Sequence, residues 1–391
     1  MRIVFVAAPL QGHLLPLVPL AAACRDAGHE VLLASGGFPA DVRGLRTADI
    51  GAGFSLPRTA IRVALRHPGI ARAELRGEAG LAMVGELFGR ANLALVDPLH
   101  EVVERERPDL IVFESLGEAG AIVAARLSIP TVLQENTLWP ATDLFRAVTT
   151  SSALAKLDIP NPELTITVLP PSLRGAAVPS PLGSPSAPHR PSRAPLHLAE
   201  SSPTPASPIP MRPVPFSGGG SVPDWLLEPG DRPRVLVSRS TLNGPNDGDP
   251  GPAVVAAAAA VDAEFVLVRP ATTRGLPPNV RAVDRVPLDE VLVHAAAFVH
   301  HAGAGSVLGG LAAGIPQLVT PGAGDRRHNA TLLAARGAGL AVEAKAITAA
   351  DLTRLLTDSG LRAAAREVAL EIAAMPAPAT VVPELEKLVG S

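Results

Sequence analysis

The chain has 391 residues, 47% hydrophobic and 18% charged, with a formal net charge of -3; that length suits two or three cored domains and the balance excludes a disordered polymer. The small negative charge excludes a generalised nucleic-acid or polybasic membrane surface. A single cysteine, Cys24, excludes an intramolecular disulfide framework and a cysteine-based zinc site, and it fits a reducing cytoplasm.

In chain order, "RIVFVAA" predicts a buried parallel strand over Ile3–Ala7, feeding a helix over Leu14–Ala27. Gln11, Gly12, His13 and two prolines interrupt the apolar N-terminus before it reaches a membrane-spanning length, which speaks against a signal peptide. Gly28 in "DAGHEV" stops the helix ahead of a strand at Glu30–Ala34. Further strands are predicted at Leu110–Phe113 and Thr131–Gln134, and helices at Pro98–Arg105 and Glu118–Leu127. From about residue 179 to 208 the chain is rich in Pro and Ser without apolar periodicity, which predicts a solvated insertion.

A second series follows. Strands are predicted at Val235–Val237, Phe265–Val268, Val280–Val283, Phe298–His300 and Gln317–Thr320. Helices are predicted at Pro252–Val261, Leu288–Ala295, Ser306–Gly314, Arg326–Arg336 and Val381–Val389. The alternation predicts an α/β protein with two doubly wound domains and a cleft at the carboxyl ends of their strands. We divide the chain into an N-terminal domain over 1–210, a linker over 211–222 and a C-terminal domain over 223–391.

Four features carry candidate chemistry. In "FVHHAGAGSVLGGLAAGIPQLVTP" (Phe298–Pro321) a glycine-flanked turn, His301–Gly305, runs into a helix. Exposed N–H groups and a partial positive charge at such a start attract phosphate, although an ordinary strand–helix junction has the same local look. His13 follows the first strand, where an imidazole could take a proton from a hydroxyl, or cap a helix, or pack in the core. Glu114 ends the strand in "LIVFESLGEAG", with Glu118 four residues on; each could orient an imidazole or be a solvated acid. Asp247 and Asp249 in "NDGDPG" form an Asp-x-Asp that reads as a turn among Gly, Pro and Asn. The Gly pattern of "GAGSVLGG" sits too late in the second domain for a dehydrogenase fingerprint.

Three segments together resemble a known family: "PLQGHLLPLVPLAAACRDAGHEV" (Pro9–Val31), "MRPVPFSGGGSVPDWL" (Met211–Leu226) and "VPLDEVLVHAAAFVHHAGAGSVLGGLAAGIPQLVTPGAGDRRHNATLLAARGAG" (Val286–Gly339). They are similar to GT-B fold glycosyltransferases of the bacterial antibiotic and macrolide type; the insertion at 179–208 matches nothing in that family. The resemblance implies two facing Rossmann-like domains, an aglycone acceptor such as a polyketide in the first, and a dTDP- or UDP-linked, often deoxygenated, hexose in the second. It implies that His301, Gly303, Ala304, Gly305 and Ser306 hold a nucleotide pyrophosphate and that Asp325 accepts hydrogen bonds from sugar hydroxyls. Ser240 and Thr241 would lie on a loop near the phosphate or sugar. It further implies His13 as general base with Glu114, where relatives often have Asp, as its orienting acid; Glu118 is the alternative partner.

The chain departs from the family pattern at Arg285, where a base-stacking tryptophan is common, and at Arg326, where Gln is frequent. His300 is expected to be structural, and Leu56, Phe88, Trp139 and Phe145 could line an acceptor pocket. The resemblance implies an inverting transferase needing neither metal nor other cofactor, with no nucleic-acid or membrane partner; a homodimer is compatible with it. A GT-B epimerase or hydrolase, and a non-catalytic nucleotide-sugar-binding partner of another transferase, are the competing readings.

Overall fold

The computed structural model describes residues 1–38, 42–76, 78–174, 207–240 and 248–390. Thr241, Asp247 and the insertion at 179–208, save Ser207 and Pro208, lie outside the described residues. Two parallel sheets organise the chain. The first contains β1 (Arg2–Val6), β2 (Glu30–Ser35), β3 (Arg46–Asp49), β4 (Leu110–Glu114), β5 (Thr131–Gln134), β6 (Leu164–Thr167) and β7 (Ile209–Pro210), in the order β3-β2-β1-β4-β5-β6-β7. The second contains β8 (Arg234–Ser238), β9 (Glu264–Val268), β10 (Val280–Val283), β11 (Ala297–His300), β12 (Gln317–Val319) and β13 (Gly339–Ala341), in the order β10-β9-β8-β11-β12-β13. The central strands are buried on both faces, which is why they read as unbroken apolar runs.

Each order reverses once, between β1 and β4 in the first sheet and between β8 and β11 in the second. The loops leaving the two strands at such a reversal run to opposite faces and leave a crevice. His13 follows β1 and Glu114 ends β4; Ser240 and His301 follow β8 and β11. The sheets thus place the four residues before any side-chain interaction is considered.

The lobes are joined by packing as well as by the linker. The helix Pro378–Gly390 buries Val381, Val382 and Leu385 in the cluster that holds Leu17, Leu20, Ala21 and Cys24 of the first lobe. There His29 Nε2 pairs with Glu386 Oε1 at 3.0 Å. Burial, and then the Glu386 charge, push the Cys24 thiol up to about 12, so it is a packing residue. The linker is held down too: Arg212 N–H donates to the Pro376 carbonyl at 2.7 Å, and Leu288 N–H to Ser217 Oγ at 3.1 Å.

Three expectations change. The predicted helix at Pro98–Arg105 is the last part of a helix spanning Leu81–Glu106, with Pro98 inside it. Its apolar stripe, Phe88, Ala91, Leu95, Leu99 and Val102, runs through the proline without a break. The predicted helix at Leu14–Ala27 begins earlier, at Gln11, so His13 stands in a helical turn rather than on a loop. The second-lobe helix starts at Ala304, not Ser306.

Two glycines four residues apart on the long helix, Gly85 and Gly89, let the helix Ala141–Thr149 approach. A Cβ at Gly85 would run into the Ala147 carbonyl, and one at Gly89 into the Ser151 hydroxyl. Gly85→Ala is therefore expected to cost about 1–3 kcal/mol, read as a lower chemical-denaturation midpoint. Gly69→Ala, whose Cβ would meet open space, should be neutral or gain up to about 1 kcal/mol in its helix.

Candidate active site

On the first lobe, His13 Nδ1 lies 3.2 Å from Glu114 Oε2, with its ring against Phe88 at 5.5 Å between centroids. The Glu114 side chain is fully buried, while His13 keeps 20% of its side chain exposed. One oxygen of the carboxylate, Oε1, accepts from Ala8 N–H at 3.0 Å. The other, Oε2, accepts from Leu116 N–H at 2.8 Å and Asn136 Nδ2 at 2.9 Å, besides His13. Four donors on a buried carboxylate suit its ionised form, an acceptor only. They assign the His13 proton to Nδ1 and leave Nε2 as the ring's acceptor.

Burial lowers the His13 pKa, but the charge and hydrogen bond of Glu114, helped by the more distant Asp325, outweigh it, and the net direction is above the ordinary 6.5. Glu118 is not the partner. It accepts from Asn92 Nδ2 at 2.8 Å, and burial, then the Glu114 charge, raise its pKa well above the ordinary carboxylate range. It is braced by Asn92 between the Leu81–Glu106 helix and the turn after β4.

On the second lobe, the helix Ala304–Ala312 begins after Gly303 with no side chain capping it. Gly303 has a specific reason to be glycine: a Cβ there would sit 2.6 Å from His301 Nε2. Gly305 is exposed and a Cβ on it would meet nothing, so the space before the helix is open. Ala302 holds φ 61, the left-handed region, which costs roughly 1–2 kcal/mol for a residue with a Cβ. Asn329 Nδ2, donating to the Ala302 carbonyl at 2.9 Å, secures it. His300 is buried, accepts from Ala302 N–H and donates from Nε2 to Gln317 Oε1 at 2.8 Å; burial lowers it to about 4, a neutral structural residue.

Burial, then His300 and the cations Arg326 and Arg269, hold His301 well below its ordinary pKa, with only the Ser238 carbonyl pulling the other way. Arg269 is itself lowered by burial and then by Arg239 and Arg285. Four arginines thus gather at the carboxyl edge of the second sheet. Arg326 donates to Ser240 Oγ at 2.8 Å, Arg285 to the Ser217 carbonyl of the linker at 3.1 Å, and Arg269 to the Arg239 carbonyl at 3.3 Å. A mutually repelling group of cations is a site for an anion. Arg239 and Arg269 were absent from the sequence reading; each stands one residue past the end of its strand, and that position was the available signal.

The two halves meet. Asp325, held by Asn329 Nδ2 at 2.8 Å, acts electrostatically on both His13 and His328. His328 Nε2 donates to the Leu138 carbonyl at 3.2 Å and its ring packs on Trp139 at 5.4 Å. Gly324 N–H donates to Glu74 at 3.3 Å. Of the apolar candidates, Phe88 touches His13 and Trp139 touches His328, whereas Phe145 packs on Phe113 within the core and Leu56 is half-buried at the start of a helix. Among the described residues no group of three or more His, Cys, Asp or Glu is disposed to hold a metal ion. Asp249 spends one oxygen on Gly251 N–H at 2.9 Å. No single helix among them is long and apolar enough to cross a membrane.

Comparison with known proteins gives consistent matches. The N-terminal and C-terminal domain models of the erythromycin biosynthesis protein CIII-like family match residues 22–240 and 252–388. The elloramycin glycosyltransferase ElmGT of Streptomyces olivaceus is 36% identical over 100% of this chain and 98% of its own. Among solved structures, the glycosyltransferase SnogD from Streptomyces nogalater superposes with a TM-score of 0.77 at 31% identity, covering 99% of both chains. The Streptomyces sp. SF2575 glycosyltransferase SsfS6, complexed with thymidine diphosphate, gives 0.72 at 28% identity over 99% of both.

A histidine raised by a buried carboxylate gives a direct test. Its pairing contributes stability fully present below the unfolded-state pKa near 6.5 and lost as pH rises through the folded value. In an NMR titration His13 should titrate above 6.5, and Glu114→Gln, which removes the charge that raises it, should bring it down; Glu118→Gln should leave it in place.

Proposed function

The chain belongs to the erythromycin biosynthesis protein CIII-like family of glycosyltransferases, and from that premise we propose that it transfers a deoxygenated hexose from a dTDP- or UDP-sugar to a hydroxyl of a natural-product aglycone such as a polyketide, with inversion and without a metal ion. One observation carries the reading: His13, paired with Glu114 on one lobe, feels the charge of Asp325 of the other, whose partner Asn329 also holds the Ala302 carbonyl just before the uncapped helix start.

The acceptor hydroxyl gives its proton to His13 Nε2 while its oxygen forms the new bond to the anomeric carbon. The bond from that carbon to the phosphate oxygen breaks, and the nucleoside diphosphate leaves with the electron pair from the opposite face. Glu114 holds the imidazole in the tautomer that accepts at Nε2 and stabilises the imidazolium that forms. On the donor side, the N–H groups of Ala304, Gly305 and Ser306, the Ser306 hydroxyl and His301 receive the growing diphosphate charge. Arg239, Arg269, Arg285 and Arg326 supply the positive field.

Burial, and then His300 and the cations Arg326 and Arg269, hold His301 well below its ordinary pKa. An arriving diphosphate offsets them and makes His301 a stronger donor. Asp325, beside the anomeric end, is the acceptor for sugar hydroxyls. Arg285 lies in the base-binding region, where its guanidinium plane can stack on a pyrimidine. The thymidine diphosphate bound by SsfS6 favours a dTDP donor over UDP, and a cytoplasmic site of action is part of the same proposal.

His13→Ala is the deciding experiment. Transfer, followed by mass spectrometry of the glycosylated aglycone, should fall by about two to four powers of ten, while the thermal shift caused by dTDP stays at its wild-type value. Undiminished transfer would remove the base, and a dTDP shift unaffected by His301→Ala and Ser306→Ala together would remove the donor site.

A further inference from the structure

Asn136 follows β5 by two residues, beside the Glu114–Gln134 pair of the parallel register. It is 4% exposed, and its one amide nitrogen serves two acceptors: Glu114 Oε2 at 2.9 Å and the His13 carbonyl at 3.5 Å. A carboxylate cannot donate, so the amide orientation is fixed, with the nitrogen toward the dyad. Its oxygen is buried and accepts from no protein group, so the polar contacts of this amide all run from its nitrogen toward the dyad.

We propose that Asn136 is a positioning residue for the base, holding the Glu114 carboxylate and the His13 main chain in one network and setting how much of the carboxylate charge the imidazole feels. The proposal rests on the reading of His13 as the base. Glu114 Oε2 divides its charge among His13, Leu116 N–H and Asn136. With the Asn136 donor gone, more of that charge falls on His13, which then holds its proton to higher pH and is a free base over a narrower range. The other groups acting on the pair are Glu118, whose buried carboxyl is raised above its ordinary range, and Asp325 of the second lobe, with Phe88 packed on the ring. None of these contacts Asn136 by a hydrogen bond, so they stay constant when it is replaced.

The test is the pH profile of kcat/KM for three variants, with the dTDP thermal shift as a check on folding and donor binding. Asn136→Leu should lower the plateau about tenfold or more and move the acidic limb up by about half a unit to one unit. Asn136→Asp keeps the shape and adds a second acid beside Glu114, so its acidic limb should move further up; it carries the test alone if the leucine variant does not fold. An acidic limb at the wild-type position in the variants that fold would overturn the proposal, whatever the plateau, because loss of packing alone lowers activity evenly across pH. His13→Ala separates this failure from failure of the base itself: an inactive His13→Ala with unmoved limbs removes Asn136 only, while an active one removes the base.

Discussion

One buried carboxylate organises the first lobe. Glu114 is removed from water in the middle of a parallel sheet, where an isolated charge would cost several kcal/mol. It is tolerated because every donor it needs is built around it: the main chain after β1, its own turn, the amide of Asn136 and the ring of His13. Hydrogen bonds to a charged group are worth about 1.5–3 kcal/mol each, so the set balances the burial only if all are made. The ring is therefore locked in place by the same interactions that allow the acid to exist there. Rigidity of the base and tolerance of the charge are one arrangement.

The second lobe solves the opposite problem. Instead of one buried charge with a full set of partners, it assembles several cations that repel each other around a helix start. Burial first, and the neighbouring cations after it, depress the pKa values of His301 and Arg269. The lobes thus differ in state: the buried charge of the first has its donors around it, while the cations of the second have one another for neighbours. The segment from Gln134 to Trp139 links them. It anchors the first helix through Gln134 to the Pro16 carbonyl, reaches the dyad through Asn136, and meets His328 of the other lobe through Leu138 and Trp139.

Much of this was legible in the sequence, for reasons that differ by element. The central strands were visible because burial on both faces makes them continuously apolar. The edge strands β3, β7 and β13, and β6 beside β7, were missed: "RTAD" is mostly exposed, β7 has two residues, and "GLA" opens on a glycine. The long helix was cut at Pro98 because proline favours a first turn, and a tertiary stripe of buried residues overrode that local rule. His13, Glu114 and the His301–Ser306 turn could be named because strand-end position and family resemblance agreed. The choice between Glu114 and Glu118 could not be made from spacing. It depends on Asn92, distant in sequence, which takes Glu118 out of reach. Arg239 and Arg269 carry only their place one residue past a strand end, and Asn136 lies two past its own; these positions gained meaning only when the sheet order brought the strand ends together.

The helix Pro378–Gly390 lies against Leu17, Leu20 and Ala21, so the last described helix seals the core around the first. The apolar face of the first lobe is thus completed by residues that follow the second sheet, and the two lobes share part of one core. A chain cut before residue 378 would leave Leu17, Leu20 and Ala21 without that cover, so truncation behind the second sheet is expected to weaken the packing of the first.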